Sequence, residues 1–167
     1  PAVWGGSQLP ITYRIAVNVA APVAPGKTLT GERAQRQSTD NIPVLREMLK
    51  DPRVIKATRV DAVLGVVRLM GGGFDAADEV GGDMLVLIGE KDEIIPVPAM
   101  ERAAARLCGD VTLQRFPDGW HLLFRDLQAE VVWRATAAWI EERVEADLTR
   151  RTRQTSEVCG DVPNTNE

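Results

Sequence analysis

Few side chains in this sequence can take part in covalent chemistry. Its 167 residues include one histidine, His121, two cysteines and three serines. Cys108 and Cys159 lie far apart and form no C-x-x-C motif, so with a single histidine they provide no set of zinc ligands. Two thiols are also too few for a disulfide framework, which favours a reducing, cytoplasmic location. Any catalytic site must therefore be built from very few residues.

The partner expected for His121 is the carboxylate of Asp92. Met84 to Ile88 is an apolar run between glycines, typical of a strand buried on both faces of a parallel sheet. Val111 to Phe116 alternates like a second strand, and the helix between them makes a right-handed crossover. Both strands then end at the same sheet edge, where Asp92 and His121 follow them. A carboxylate there would hold one imidazole nitrogen and leave the other free as a base.

The overall charge argues against a polyanionic partner. The chain has 20 Lys and Arg residues against 24 Asp and Glu residues, a net charge of −4, so it lacks a basic field for nucleic acid or an anionic membrane. No apolar run approaches the roughly 18 residues of a membrane span. We also find no pattern of an export signal at the amino terminus.

The part of the chain before the first strand is predicted to contain only helices and loops. An apolar stretch, Leu9 to Val23, has residues at helical spacing, although the same letters also alternate. A loop is expected from Gly26 to Gln37. A short helix that ends near Lys50 should follow, and the candidates for its N-cap are Ser38, Thr39 and Asp40.

A further helix is expected to begin at Asp51-Pro52, because Asp is a good cap and Pro suits the first turn. Its buried face would run from Val60 to Met70, and Gly71 to Gly73 should end it. After the second strand, an amphipathic helix is predicted from about Arg125 to Val144. The remaining residues contain few apolar side chains, which is typical of a disordered tail.

Two motifs resemble the acid loop and the histidine loop of the α/β-hydrolases. They are MLVLIGEKDEIIP, which begins at Met84, and FPDGWHLLFRD, which begins at Phe116. Within that fold they are most similar to the monoacylglycerol lipase and lysophospholipase family, also called the serine aminopeptidase-like hydrolases. Upstream, the LTG, STDN and DP motifs at residues 29–31, 38–41 and 51–52 resemble the helical cap of that family.

The resemblance implies an α/β fold class, namely the C-terminal part of an α/β-hydrolase fold. Residues 1–73 would form the helical cap, and residues 74–146 would form the last two parallel strands of the core with their helices. Residues 147–167 would be the disordered tail. The family's G-x-S-x-G nucleophile elbow and its oxyanion loop belong to the front half of the fold, and neither motif occurs in this sequence.

By this resemblance, Asp92 would be the acid and His121 the general base of a Ser-Asp-His triad. Glu90 and Glu93 remain possible substitutes for Asp92. Ser7 has the right chain order for a nucleophile, but Leu9 stands where the elbow needs a small residue, and no strand precedes it. The serine is therefore expected outside this chain.

The implied function is that of a serine hydrolase cleaving carboxylic esters of lipids such as monoacylglycerols or lysophospholipids. No cofactor or metal is implied. The expected partners are a lipid ester and the missing N-terminal half of the same fold, with the apolar cap available for contact with a membrane. The alternative is a non-catalytic binding or partner module derived from such a hydrolase. The location implied is the cytoplasm, with membrane association through the cap as an option.

Overall fold

The structure is a computed structural model that describes residues 8–30 and 36–160, with side chains described up to residue 151. Its first element is the helix α1, Ile11–Val23, which confirms the helical interpretation of the first apolar stretch. α1 packs against a later helix, α3, Val60–Asp75. Ala21 is the residue of α1 that is buried, while Ile11, Ile15 and Val19 are exposed.

A small antiparallel sheet precedes α3, and we did not predict it. Strand β1, Thr28–Thr30, pairs with strand β2, Ala57–Arg59. The prediction that this part contains only helices and loops was therefore wrong. Strands of three residues are too short to show an alternating pattern, and these two are separated by a complete helix, so nothing local identifies them as partners.

The boundaries of the helices in this part also differ from those predicted. Helix α2, Ile42–Lys50, is capped by Asn41, whose side chain accepts a hydrogen bond from the Val44 N–H, and not by Ser38, Thr39 or Asp40. No helix begins at Asp51-Pro52. The Asp51 carboxylate accepts from the Arg53 N–H as a helix cap would, but the chain forms only a single turn there, closed by the Val54 N–H on the Asp51 carbonyl, before it enters β2.

Helix α3 passes through the three glycines that were expected to end it. A glycine within a helix costs only about 1 kcal/mol relative to alanine. Gly71 and Phe74 are both buried, so packing on this side of the helix can offset that cost. A short 3-10 helix, Ala76–Glu79, follows.

The predicted parallel unit is confirmed. Strand β3, Asp83–Gly89, pairs in parallel with strand β4, Asp110–Phe116, and helix α4, Val97–Ala104, connects them. Burial of β3 on both faces is found only at its end, at Ile88 and Gly89, whereas residues 84–87 are half-buried. Ile88 lies in a core cluster with Ile95 and Met100.

The last helix, α5, spans Ala129–Gly160, later at both ends than predicted, and follows a 3-10 turn, Leu123–Arg125. It includes residues 147–160 of the segment that was expected to be disordered. The chain divides into two compact units, residues 1–129 and residues 130–167. The division into cap, core and tail stays a prediction. Within the part of the chain that the structure describes, no helix is long and apolar enough to cross a membrane.

Candidate active site

The ends of β3 and β4 hold two loops in direct backbone contact. The acid loop, residues 90–95, follows β3, and the histidine loop, residues 117–122, follows β4. The Glu90 N–H donates to the Phe116 carbonyl at 3.0 Å, and the Lys91 N–H donates to the Gly119 carbonyl at 2.9 Å. A Cβ atom at Gly89 would lie 2.5 Å from the Trp120 carbonyl oxygen, so this approach requires glycine at the end of β3.

Asp92 is held by three hydrogen bonds, and its side chain is 5% exposed. Oδ1 accepts from the Ile94 N–H at 2.7 Å and from the Ile95 N–H at 2.9 Å. Oδ2 lies 2.9 Å from Nδ1 of His121. Burial by itself raises the pKa of Asp92, but the hydrogen bonds from His121, Ile95 and Ile94 outweigh it and keep this pKa below its ordinary value.

The contact with Asp92 determines which nitrogen of His121 carries the proton. An ionised carboxylate can only accept hydrogen bonds, so Nδ1 must be the donor. In the neutral ring, Nε2 then carries the free lone pair. No residue in the described ranges makes a hydrogen bond to Nε2, and the side chain is 25% exposed. This imidazole can therefore take a proton from a group that approaches Nε2.

The two alternative acids have other partners. Glu90 forms an ion pair with Arg115 at 3.6 Å, and the Glu93 carboxylate accepts from the Gln37 N–H at 2.8 Å. Asp92 is thus the carboxylate that binds the histidine. Ser7 lies outside the described residues. Cys108 is exposed, and the side chain of Cys159 is not among those described.

Two buried residues near the histidine were not predicted as part of the site. Thr39 was considered as a helix cap and as part of the STDN motif, and Asp126 was not singled out as a site residue. The Thr39 hydroxyl donates to the Asp126 carboxylate at 2.6 Å, and that carboxylate also accepts from the Trp120 N–H at 2.7 Å. Thr39 lies in the STDN motif, and Asp126 is the last residue of FPDGWHLLFRD. These motifs were the signal in the sequence that could have indicated the two residues.

No group of three or more His, Cys, Asp or Glu side chains that could hold a metal ion occurs among the residues with described side chains. The site contains an imidazole, that of His121, which the Asp92 carboxylate orients at the edge of the sheet. A pair of this kind can remove a proton from a hydroxyl and later return it, which is the chemistry required of the acid and base in a nucleophilic triad.

Comparisons with known proteins give a family and a fold. The family model described as serine aminopeptidase, S33, matches residues 1–128. A comparison with curated proteins gave no match. Among solved structures, the monoacylglycerol lipase of Paleococcus ferrophilus is similar, with a TM-score of 0.68 and 22% identity over 83% of this chain and 55% of that chain.

A second similar structure is a soluble variant of the monoglyceride lipase of Saccharomyces cerevisiae in complex with a substrate analog. Its TM-score is 0.57 and its identity 10%, over 78% of this chain and 49% of that chain. The chain thus spans about half the length of these solved structures, and it has part of an α/β-hydrolase fold. With a family model that matches most of its length, the chain belongs to the serine aminopeptidase S33 family of α/β hydrolases.

Proposed function

We propose that this protein is a serine hydrolase that cleaves carboxylic esters of lipids of the monoacylglycerol or lysophospholipid type. In this proposal Asp92 and His121 are the acid and the base of a catalytic triad. The observation that carries it is the 2.9 Å hydrogen bond between a buried carboxylate and the only histidine of the chain, at the edge where both parallel strands end. Membership of a serine hydrolase family supports the same interpretation.

The triad serine would come from a part of the fold outside these 167 residues. The two lipase structures are about twice as long as the matched region, which leaves room for a nucleophile elbow and an oxyanion site. The alternative nucleophile within the chain, Ser7, lacks the small residue two positions later that such an elbow requires.

The reaction would follow the usual course of acyl transfer. Nε2 of His121 removes the serine proton as the serine oxygen attacks the ester carbonyl, and the imidazolium then protonates the alcohol as the carbon–oxygen bond breaks. Water attacks the acyl-enzyme by the same proton route and releases the fatty acid. Asp92 remains ionised throughout and keeps the proton of the ring on Nδ1.

The lipid substrate class is supported by the names of the similar structures and by helix α1. The two structures are a monoacylglycerol lipase and a monoglyceride lipase. Ile11, Ile15 and Val19 are exposed on α1, and an apolar face of this kind suits the wall of an acyl-chain site or contact with a membrane surface. A cytoplasmic location is part of the same proposal.

The test uses the protein translated from its complete reading frame and a fluorophosphonate, which labels activated serines. We expect the protein to be labelled, and His121→Gln to abolish labelling because no other histidine of this segment can act as the base. Glu90→Gln is the matched control: it removes a neighbouring carboxylate that pairs with Arg115, and labelling should remain.

Turnover of a monoacylglycerol, a lysophosphatidylcholine and an aminoacyl anilide then identifies the substrate class. Preference for either lipid ester supports the proposal, whereas cleavage of the anilide alone contradicts it. A folded protein that is neither labelled nor active would instead be a binding or partner module derived from a hydrolase.

A further inference from the structure

Residues 37–41, which we call the clasp, contact both loops of the candidate site. The Gln37 N–H donates to Glu93 of the acid loop at 2.8 Å, and the Ser38 carbonyl accepts from the Leu122 N–H of the histidine loop at 2.9 Å. We propose that the clasp is a positioning device for His121, and that the buried pair Thr39 and Asp126 is its central element. This inference rests on the proposed function, in which His121 is the base.

The Thr39 hydroxyl is fixed by two partners. It donates to Oδ1 of Asp126 at 2.6 Å and accepts from the Asn41 N–H at 3.1 Å. Thr39 is fully buried, and Asp126 is 3% exposed. A hydroxyl with both a donor and an acceptor partner in a buried site has one favourable orientation, so the position of Asp126 relative to the clasp is well defined.

The backbone on both sides of His121 is held by these residues. Oδ2 of Asp126 accepts from the Trp120 N–H at 2.7 Å, directly before the histidine. The Ser38 carbonyl accepts from the Leu122 N–H at 2.9 Å, directly after it. The direction in which the imidazole leaves the backbone therefore depends on the clasp, in addition to the contact that the ring itself makes with Asp92.

The clasp also connects helix α2 to the segment that follows the histidine loop. Asn41 caps α2 by accepting from the Val44 N–H, and its Nδ2 donates to the Arg125 carbonyl at 2.9 Å. The Leu127 N–H donates to the Asp40 carboxylate at 2.8 Å. Every residue of the clasp thus forms a hydrogen bond with the acid loop, with the histidine loop or with the residues that follow the histidine loop.

A role in stability alone is a poor explanation for this arrangement. Burying polar groups has a desolvation cost, and replacing both partners of a buried hydrogen bond by apolar groups of the same shape can leave stability unchanged or increase it. What this hydrogen-bonded pair provides instead is a defined geometry at Trp120, next to the base. A displacement of about 1 Å at a reacting group can reduce the rate about a hundredfold, so this geometry is worth its cost in an enzyme.

The test compares Thr39→Val, which removes the hydroxyl at nearly constant volume, with Thr39→Ser, which keeps it. Thr136→Val is the matched control, since Thr136 donates to the Val132 carbonyl within α5. The variants are made in the protein translated from its complete reading frame. Two readouts are used: kcat and KM per fluorophosphonate-titrated site, and the NMR signal of the His121 Nδ1 proton, assigned by its absence in His121→Gln.

We expect Thr39→Val to lower kcat per titrated site by about 10- to 100-fold, with KM changed by less than about threefold. The Nδ1 proton signal should be lost or broadened by exchange with water. Thr39→Ser should restore kcat to within about threefold of the starting protein, because it retains the hydrogen bond to Asp126. Thr136→Val should match the starting protein in both readouts.

The inference is overturned if Thr39→Val keeps both the rate per titrated site and the Nδ1 signal, or if Thr39→Ser fails as severely as Thr39→Val.

If Thr39→Val does not fold, Asp126→Asn replaces it as the test variant. The asparagine can still accept from the Trp120 N–H, but it presents an amide NH₂ group to the Thr39 hydroxyl. A lowered rate with a weakened Nδ1 signal supports the clasp, and unchanged values refute it. If the starting protein has no activity, the proposed function fails, and the Nδ1 signal alone decides on the clasp.

Discussion

Replacing Asp92 with asparagine should reverse the tautomer of His121. Oδ1 of Asp92 accepts from the Ile94 and Ile95 N–H groups at 2.7 and 2.9 Å, so the amide oxygen of an asparagine would occupy this position. The NH₂ group would then face Nδ1 of His121, which lies 2.9 Å from Oδ2. Because an amide NH₂ is a donor, Nδ1 must become the acceptor, and Nε2 would carry the proton. The ring would then have no free lone pair for the serine.

The expected loss of kcat is large because the substitution removes the base without changing the shape of the site. In a serine triad, the equivalent change of tautomer lowers kcat about 10⁴-fold, which corresponds to about 5 kcal/mol of transition-state stabilisation. KM should change little, because Asp92 is 5% exposed and bound to the protein on both oxygens. Fluorophosphonate labelling should slow by a similar factor.

The assay is the hydrolysis of a lipid ester or a chromogenic ester, with the rate expressed per mole of folded protein. Asp118→Asn is the matched control: it makes the same exchange in the histidine loop, but the Asp118 carboxylate is exposed and pairs with Lys91. Exposed ion pairs contribute about 0–1 kcal/mol, so its rate should stay within about threefold. The reasoning is refuted if Asp92→Asn retains more than a tenth of the starting kcat, or if ¹⁵N spectra show the proton still on Nδ1.

Two further predictions concern stability. Gly89→Ala places a Cβ 2.5 Å from the Trp120 carbonyl oxygen, so it should lower the free energy of unfolding by about 1–3 kcal/mol and reduce activity. Gly72→Ala, whose Cβ meets nothing within 4 Å in α3, should raise the free energy of unfolding by about 1 kcal/mol. Equal melting temperatures of the two variants would contradict this prediction. The pKa of Asp92 is below its ordinary value of 3.8, so the folded form binds this proton less tightly than the unfolded form. Its contribution to stability is thus complete above pH 3.8 and is lost as the pH falls through the folded pKa. In urea titrations, the difference in free energy of unfolding between the starting protein and Asp92→Asn should become smaller as the pH falls below 3.8. A difference that is constant from pH 6 to pH 2 would refute the lowered pKa of Asp92.

The parts of the fold that could be predicted are those with local signals. The run Met84 to Ile88 is apolar throughout and bounded by glycines, and the crossover rule then makes β3 and β4 parallel with their ends together. That rule is enough to bring Asp92 and His121 to one edge. Helix α1 was interpreted correctly, although its apolar residues also alternate and their spacing alone did not separate helix from strand.

The parts that could not be predicted depend on the tertiary course of the chain. Strands β1 and β2 pair across α2 and are too short for a period. Helix α3 continues through three glycines, although local preference would stop it there, and buried Gly71 and Phe74 lie on its packed side. Asp51 makes the backbone hydrogen bond expected of a helix cap, but the chain continues after one turn into β2, which pairs with the distant β1.

The sequence by itself determined which residue types the site could use and at which sheet edge they meet, because a single histidine and a strand–helix–strand unit leave few arrangements. Only the tertiary structure decided what orients the histidine. Asp92 reaches it from the neighbouring loop, but Thr39 and Asp126 are 87 positions apart in the chain, and their hydrogen bond depends on how the segment before α2 folds back onto the histidine loop. Each of the two residues lies in a local motif, but neither motif shows that the two side chains form a hydrogen bond over that separation.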